Sequence, residues 1–399
     1  MQLTRGTWRR RQPRPLRTDP CTKRARLSFL NLLLAGLASC VSERADVTPT
    51  ELRLTQTGDF PCELVIVPTG VRLKGDGRDV PDPHRVNVRD TRGFFYTGTF
   101  TRDQYAVWSS RGEHIRTVGR RGSGPGEFTQ IMSIFLDPAD TVHVRDRNGW
   151  SVLDSSGHFV RRLSNQNLAL VPEHIRFVGA REILVSGSLR RPEAFYFHIV
   201  DTDGGRVRSF GPVQPEDQAR VAGGLYERAT TWDGDSTIWA AAARGSLDGY
   251  TAEQWTLSGS NVRRILRETS WFPDPGNEQD INVLPVADYV HVDSSGLVLV
   301  YLGIPTPRLQ RDAPPNADRS GWWEGRYEVI EPGGGQVLAS GTLPYVDRPF
   351  FYPLSRVGYR AVNEPSGDVV HEIVEFRLRA ASGRRGGDGA CSKTQRPSP

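Results

Sequence analysis

The sequence predicts an all-β fold: a six-bladed β-propeller of four-stranded antiparallel blades, with the last blade closed by an N-terminal strand. Three observations carry that reading. One hairpin turn recurs before the last strand of each unit, at residues 109–112, 154–157, 201–204, 258–260 and 331–334. A second turn, between the first two strands, recurs at 90–93, 137–140, 179–182, 233–236 and 293–296. The runs that follow this second turn, at 94–97, 141–144, 183–185, 237–241 and 297–301, are rich in β-branched and aromatic residues. Two alternating turn types describe stacked meanders rather than a sandwich with crossovers. The turns are built from Asp, Ser, Gly and Pro. Asp and Ser bond backbone amides two residues on, Gly takes positive φ, and Pro presets φ.

Residues 119–163 show one unit complete. A loop with Gly122, Gly124 and Gly126 around Pro125 precedes strands at 134–137, 141–144, 150–153 and 159–163, with turns at 138–140 and 154–157 between them. Phe128 reads as a plug between this blade and the one before. The loop lacks the Lys-Ser/Thr of a phosphate-binding loop and runs into a strand, not a helix. The run GSGPGEF, then an apolar strand, a D-P-x-D-T turn and V-x-V-x-D, resembles the repeat of six-bladed propellers of NHL (TolB-like) type, bacterial lipoproteins in particular. The resemblance spans residues 62–380, but later blades match in turn placement alone. It implies a fold and leaves activity open, because such propellers serve as binding scaffolds and as metal-dependent lyases or lactonases.

Outer strands are expected to end near Val118, Leu163, Phe210, Leu266 and Leu343. A sixth unit has strands at 350–355, 357–362 and 369–378 but no fourth. Residues 63–71, ELVIVPTGV, have no partner of their own and supply it, which removes an exposed edge. No helix of consequence is expected, and residues 240–243 read as strand.

Residues 1–39 read as a signal peptide of lipoprotein type. Lys23, Arg24 and Arg26 precede an apolar run at 27–37 that is too short to span a bilayer and ends in Leu-Ala-Ser-Cys40. That tetrapeptide resembles a lipobox, which implies lipidation of Cys40; an ordinary cleaved signal with an incidental cysteine is the alternative. Val41 and Ser42 are not acidic, so the resemblance places the anchor in the outer membrane, with the body facing periplasm or cell surface. Residues 40–58 are expected to be a tether, 59–380 the propeller, and 381–399 a disordered Gly/Arg-rich tail. The exported body keeps Cys62 and Cys391 in an oxidising compartment, where an extended tail lets them meet as a disulfide or stay apart as thiols.

The whole chain has 51 Lys+Arg against 46 Asp+Glu. Nine cations and one Asp fall in residues 1–39, and six cations and one Asp from Arg377 onward. The body between therefore carries 36 positive and 44 negative side chains. That sign excludes a phosphate footprint, and no nucleic-acid partner is expected.

No catalytic set emerges. His143 and His291 lie inside strands, as structural histidines do. His84 and His174 precede innermost strands and are the two placed to face the channel, without an H-x-H or H-E-x-x-H spacing, so neither metal nor cofactor is expected. Asp137, Asp154, Asp201, Asp233 and Asp293 read as turn formers, and Asp146 as a residue that fixes a turn. Long connections at 303–325 and 268–288 carry Trp322-Trp323 and Trp271-Phe272 beside prolines. Those four aromatics form either a platform for a carbohydrate, peptide or envelope-protein ligand or a cover for the blades. Three functions stay open: a binding or scaffold module anchored at the outer membrane, a metal-dependent lyase or lactonase, and a structural partner in an envelope assembly.

Overall fold

The computed structural model describes residues 48–75, 83–99, 101, 103–147, 149–163, 174–186, 195–202, 207–213, 228–242, 250–272, 285–306, 322–344, 348–381 and 391. The chain divides into two compact units, Met1–Asp46 and Val47–Pro399, and every described residue belongs to the second. The expected signal peptide and Cys40 therefore lie outside the described residues.

Two strands precede the first blade: β1 (Thr50–Leu54) and β2 (Cys62–Leu73). Blade one is β3 (Pro83–Arg89), β4 (Phe95–Thr99), β5 (Tyr105–Trp108) and β6 (His114–Val118). Blade two is β7 (Ile131–Leu136), β8 (Val142–Asp146), β9 (Gly149–Leu153) and β10 (Phe159–Leu163). Blade three is β11 (His174–Phe177), β12 (Glu182–Ser186), β13 (Phe195–Asp201) and β14 (Val207–Pro212). Blade four is β15 (Arg228–Trp232), β16 (Thr237–Ala242), β17 (Thr251–Thr256) and β18 (Asn261–Arg267). Blade five is β19 (Val286–Val292), β20 (Val298–Pro305), β21 (Trp323–Glu331) and β22 (Gln336–Thr342). Blade six is β23 (Phe350–Phe351), β24 (Val357–Asn363) and β25 (Val369–Ala380), completed by β2. All six are antiparallel meanders, and the fold is the expected six-bladed propeller.

The turns form as the side chains dictate. Asp137 Oδ1 accepts the N–H groups of Ala139 and Thr141, both at 2.9 Å. Asp154 does the same for Ser156 and His158, Asp233 for Asp235 and Thr237, and Asp293 for Ser295 and Leu297. One carboxylate oxygen thus holds the amides two and four residues on, in both turn types, and the hairpin closes without help from the core. Asp201 ends β13, but residues 203–206 of its turn lie outside the described residues.

The glycine loop is structural. Glu127 accepts from Gly124 N at 2.9 Å and from Arg120 Nε at 2.9 Å, which curls the loop back on itself. Phe128 is fully buried among Tyr96, Tyr105 and Val107 of blade one and Ile131, Ile134 and Val142 of blade two. Gly119, at φ +97°, passes so close that a Cβ there would lie 2.6 Å from the Phe128 ring. Asp146 accepts from Thr129 N at 3.0 Å and so fixes where the loop enters β7.

Closure is by β2, antiparallel to β25 from Cys62 opposite Ala380 to Leu73 opposite His371. Pro68 sits where the register shifts, the place in a strand at which a missing N–H is tolerated. Cys62 and Cys391 are joined by a disulfide, with Cα atoms 6.0 Å apart. It spans 329 residues of sequence, and the chain-entropy account gives such a long loop up to about 5 kcal/mol. Within the expected disordered tail, Cys391 is thus a fixed and buried point; residues 382–390 and 392–399 lie outside the described residues.

The expected tether is corrected. Within it, β1 pairs parallel with β18 and makes blade four five-stranded. Leu54 is buried and Leu52 packs against the core shared by blades four and five. Beneath the strand Arg267, 1 % exposed, donates to Glu328, 0 % exposed, from Nε and Nη2 at 2.9 Å. Its remaining donors go to the carbonyls of Leu54, Gln56 and Glu268. A guanidinium that must be satisfied in a dry joint therefore captures the passing backbone.

Candidate ligand-binding channel

The innermost strands β3, β7, β11, β15, β19 and β23 surround a cavity of about 570 Å³ that reaches the rim formed by the turns after them. One wall is a connected aromatic band. Phe350 meets Tyr289 edge-on at 5.7 Å and stacks on Tyr359 at 5.6 Å, Tyr359 lies 6.1 Å from Tyr352, and Tyr352 lies 5.9 Å from Phe95 of blade one. The facing wall is Phe135 and Phe177, 5.8 Å apart, with Met132. Met132 is 41 % exposed, a large apolar side chain left open on an innermost strand.

The tyrosines are fixed by hydrogen bonds that also join blades. The Tyr289 hydroxyl donates to Phe351 O at 2.7 Å and accepts from Phe351 N at 3.0 Å, tying blade five to blade six. The Tyr352 hydroxyl donates to Asn87 Oδ1 at 2.9 Å, and Asn87 Nδ2 lies 3.2 Å from His371 Nδ1, tying blade six to blade one. Burial pushes the Tyr289 phenol up to about 12 and raises those of Tyr352 and Tyr359 as well. All three stay neutral and act as rigid walls.

The charged groups of the lining divide into two sets. The acids are engaged: Asp137 in its turn, Asp140 with the Thr91 amide at 3.0 Å and hydroxyl at 2.5 Å, and Asp288 with Arg348 at 3.6 Å. The cations Arg89 and Arg176 also line the cavity, and among the described residues neither forms an ion pair. The Arg89 charge is felt by Tyr352, and the Arg176 charge by Tyr289 and Tyr359.

Of the residues singled out from sequence, His84 is the second residue of β3 and His174 the first of β11, pairing with Gly98 and Ser186; their side chains lie outside the described residues. His143 is buried, stacks on Phe135 and accepts from Trp150 Nε1 at 3.1 Å. His291 is buried with Nε2 donating to Ser355 O at 2.7 Å. Burial lowers both imidazoles to about 4, so they are neutral. Among the described residues no group of three His, Cys, Asp or Glu side chains is arranged to hold a metal ion.

Trp271 and Phe272 pack on buried Tyr250, at 6.0 and 5.5 Å, and cover the core between blades four and five, with Arg326 over the Trp271 ring at 4.8 Å. Trp322 and Trp323 are half-buried at the start of β21, where Trp322 O accepts from Thr306 N. Residues 307–321 and 273–284, which made these connections conspicuous, lie outside the described residues. None of the four lines the channel. The channel residues themselves escaped the sequence reading. The signal available was weak: an apolar residue, Met132, and arginines at 89 and 176 in strands otherwise destined for the centre of a ring.

A family model described as a 6-bladed beta-propeller (DUF5128) matches residues 79–207, the first two blades and most of the third. No curated protein matches the chain. The structure is similar to that of a member of the DUF4221 family from Bacteroides vulgatus, at 11 % identity, covering 80 % of this chain and 99 % of that one with a TM-score of 0.58. It is also similar to virginiamycin B lyase from Staphylococcus aureus, at 10 % identity, 78 % and 99 % coverage and a TM-score of 0.43. A gluconolactonase from Xanthomonas campestris matches at 10 % identity, 81 % and 97 % coverage and 0.44. At 11 % identity the likeness to the DUF4221 structure shows the fold and leaves function to the site.

Proposed function

We propose that this chain is a binding propeller of exported, lipid-anchored type that takes its ligand in the central channel. The observation that carries the reading is the aromatic-walled cavity, to which every innermost strand contributes. Rigid aromatics with an open apolar side chain at the centre are what a small-molecule site requires, and an exposed Met132 gives nothing to blade packing. The lipid on Cys40 is the part of the reading that rests on the sequence, from the Leu-Ala-Ser-Cys40 run.

Met132→Trp sets a bulky ring into the channel from the wall that faces the aromatic band. Small molecules carried through purification by the native protein, identified by mass spectrometry, are expected to be absent from the Met132→Trp variant. Equal recovery from both proteins overturns the channel as the site. Cys40→Ala is expected to move the protein from the membrane to the soluble fraction, and unchanged fractionation removes the anchor.

A further inference from the structure

Arg89 and Arg176 stand out from the arginines around them. Many arginines of the described propeller are spent on structure: Arg267 on Glu328, Arg228 on Glu253, Arg356 on Asp293, Arg360 on Glu372. Arg89 and Arg176 lie on innermost strands, line the cavity, and pair with no carboxylate among the described residues. Arg89 has Phe95 beneath it, 5.7 Å from the ring centroid, which orients it without using its N–H donors. A guanidinium presents five donors in a planar fork that matches an oxyanion, and leaving such a fork unused at the heart of a fold has no structural return. Hydrogen-bonding capacity, and not net charge, is what distinguishes the site, because the acids beside it are engaged: Asp137 and Asp140 accept backbone amides and Asp288 pairs with Arg348.

We propose that the channel binds small molecules with a flat apolar or aromatic body and one oxyanion group, a carboxylate, sulfonate or phosphate, the body lying on the Tyr289–Phe350–Tyr359–Tyr352 band and the oxyanion on Arg89 and Arg176. This deepens the binding reading above and rests on it. The two arginines line the same cavity as that band, one from blade one and one from blade three. One ligand can therefore meet a ring face and a guanidinium together. Arg→Lys at either position would keep the charge and lose the fork, so the site selects by geometry as well as sign.

A matched pair of fluorescent probes tests this: 8-anilino-1-naphthalenesulfonate and N-phenyl-1-naphthylamine, the same aromatic body with and without the sulfonate. The expected result is that the sulfonate binds at least tenfold tighter, and that Arg89→Gln/Arg176→Gln lowers its affinity at least tenfold while leaving the neutral probe and the melting temperature unchanged. Met132→Trp should weaken both signals severalfold, which ties them to the channel and not to a surface patch. Equal affinity of the two probes, or an Arg double variant that binds the sulfonate as before, overturns the oxyanion proposal and leaves the channel reading standing. Inorganic phosphate displacing the sulfonate as well as a naphthoate does would overturn the requirement for an apolar body. Affinities for both probes that are unchanged by Met132→Trp sink the channel reading itself.

Discussion

The N-terminal segment gives two strands to the ring, and they differ in kind. Strand β2 fills a vacancy: blade six has three strands of its own, and β2 adds twelve residues, antiparallel, with a disulfide at its first residue. Strand β1 joins a blade that is already complete: five residues, parallel, mostly exposed, held by Leu54 and by the Arg267 donors beneath it. The first is a condition of the ring; the second is a clasp on its outside. A missing strand can be counted in a sequence, whereas a clasp depends on a joint between blades four and five that exists only after both have folded.

Deleting residues 59–72 should therefore have the largest effect. It bares β25, a twelve-residue edge, and opens the joint where Tyr352, Asn87 and His371 meet. The expected outcome is loss of a cooperative denaturant transition, or aggregation at concentrations where the intact protein is monodisperse. A deletion variant that unfolds cooperatively at the native midpoint would refute closure.

Acid should have the next effect. Buried His143 and His291 are neutral in the fold at about 4, against an ordinary value of about 6.5 in the unfolded chain. Below about 6.5 the unfolded state takes up protons that the folded state refuses, so the contribution of each group is complete above that pH and is lost as pH falls towards about 4. A shift of this size is worth about 3 kcal/mol per histidine. Protonation at His291 also disturbs its contact with Ser355 of the closing blade. Urea midpoints at pH 7 and pH 4.5 should fall steeply for the native protein and less for His291→Gln. Parallel pH dependences in the two proteins would remove His291 from the account.

Deleting residues 48–54 should cost least. The loss is two leucines on the margin of the core and a short ladder, about 1–2 kcal/mol, because Arg267 keeps Glu328. A lowered midpoint with an unchanged m-value is expected. Collapse of cooperativity would show that β1 is as much a part of the ring as β2.

The turns were legible because each is a local device. Asp137, Asp154, Asp233 and Asp293 bond amides within four residues, so a short window of sequence contains the whole cause. Phe128 was legible for a similar reason, standing where a glycine loop must cross between blades. His143 reads from sequence as a structural histidine, but its partner, Trp150 Nε1 in the next strand, is a choice made by cross-strand packing. The aromatics of the long connections stood out by composition, but Trp271 and Phe272 were drawn onto Tyr250, because an apolar ring beside an open core margin is buried wherever it can reach.

By itself the sequence determined the blade repeat, the two alternating turns, the vacancy that β2 fills and the sign of the body's charge, since each is set by residues near one another or by a simple count. The tertiary structure alone decided the channel. Its wall takes two to five residues from each of six strands spread between residues 83 and 351, and whether Arg89 or Arg176 ends paired or free depends on what the other five strands bring opposite it. Closing a ring converts the innermost edge of every blade into a shared surface, and no single blade contains that surface before the ring exists.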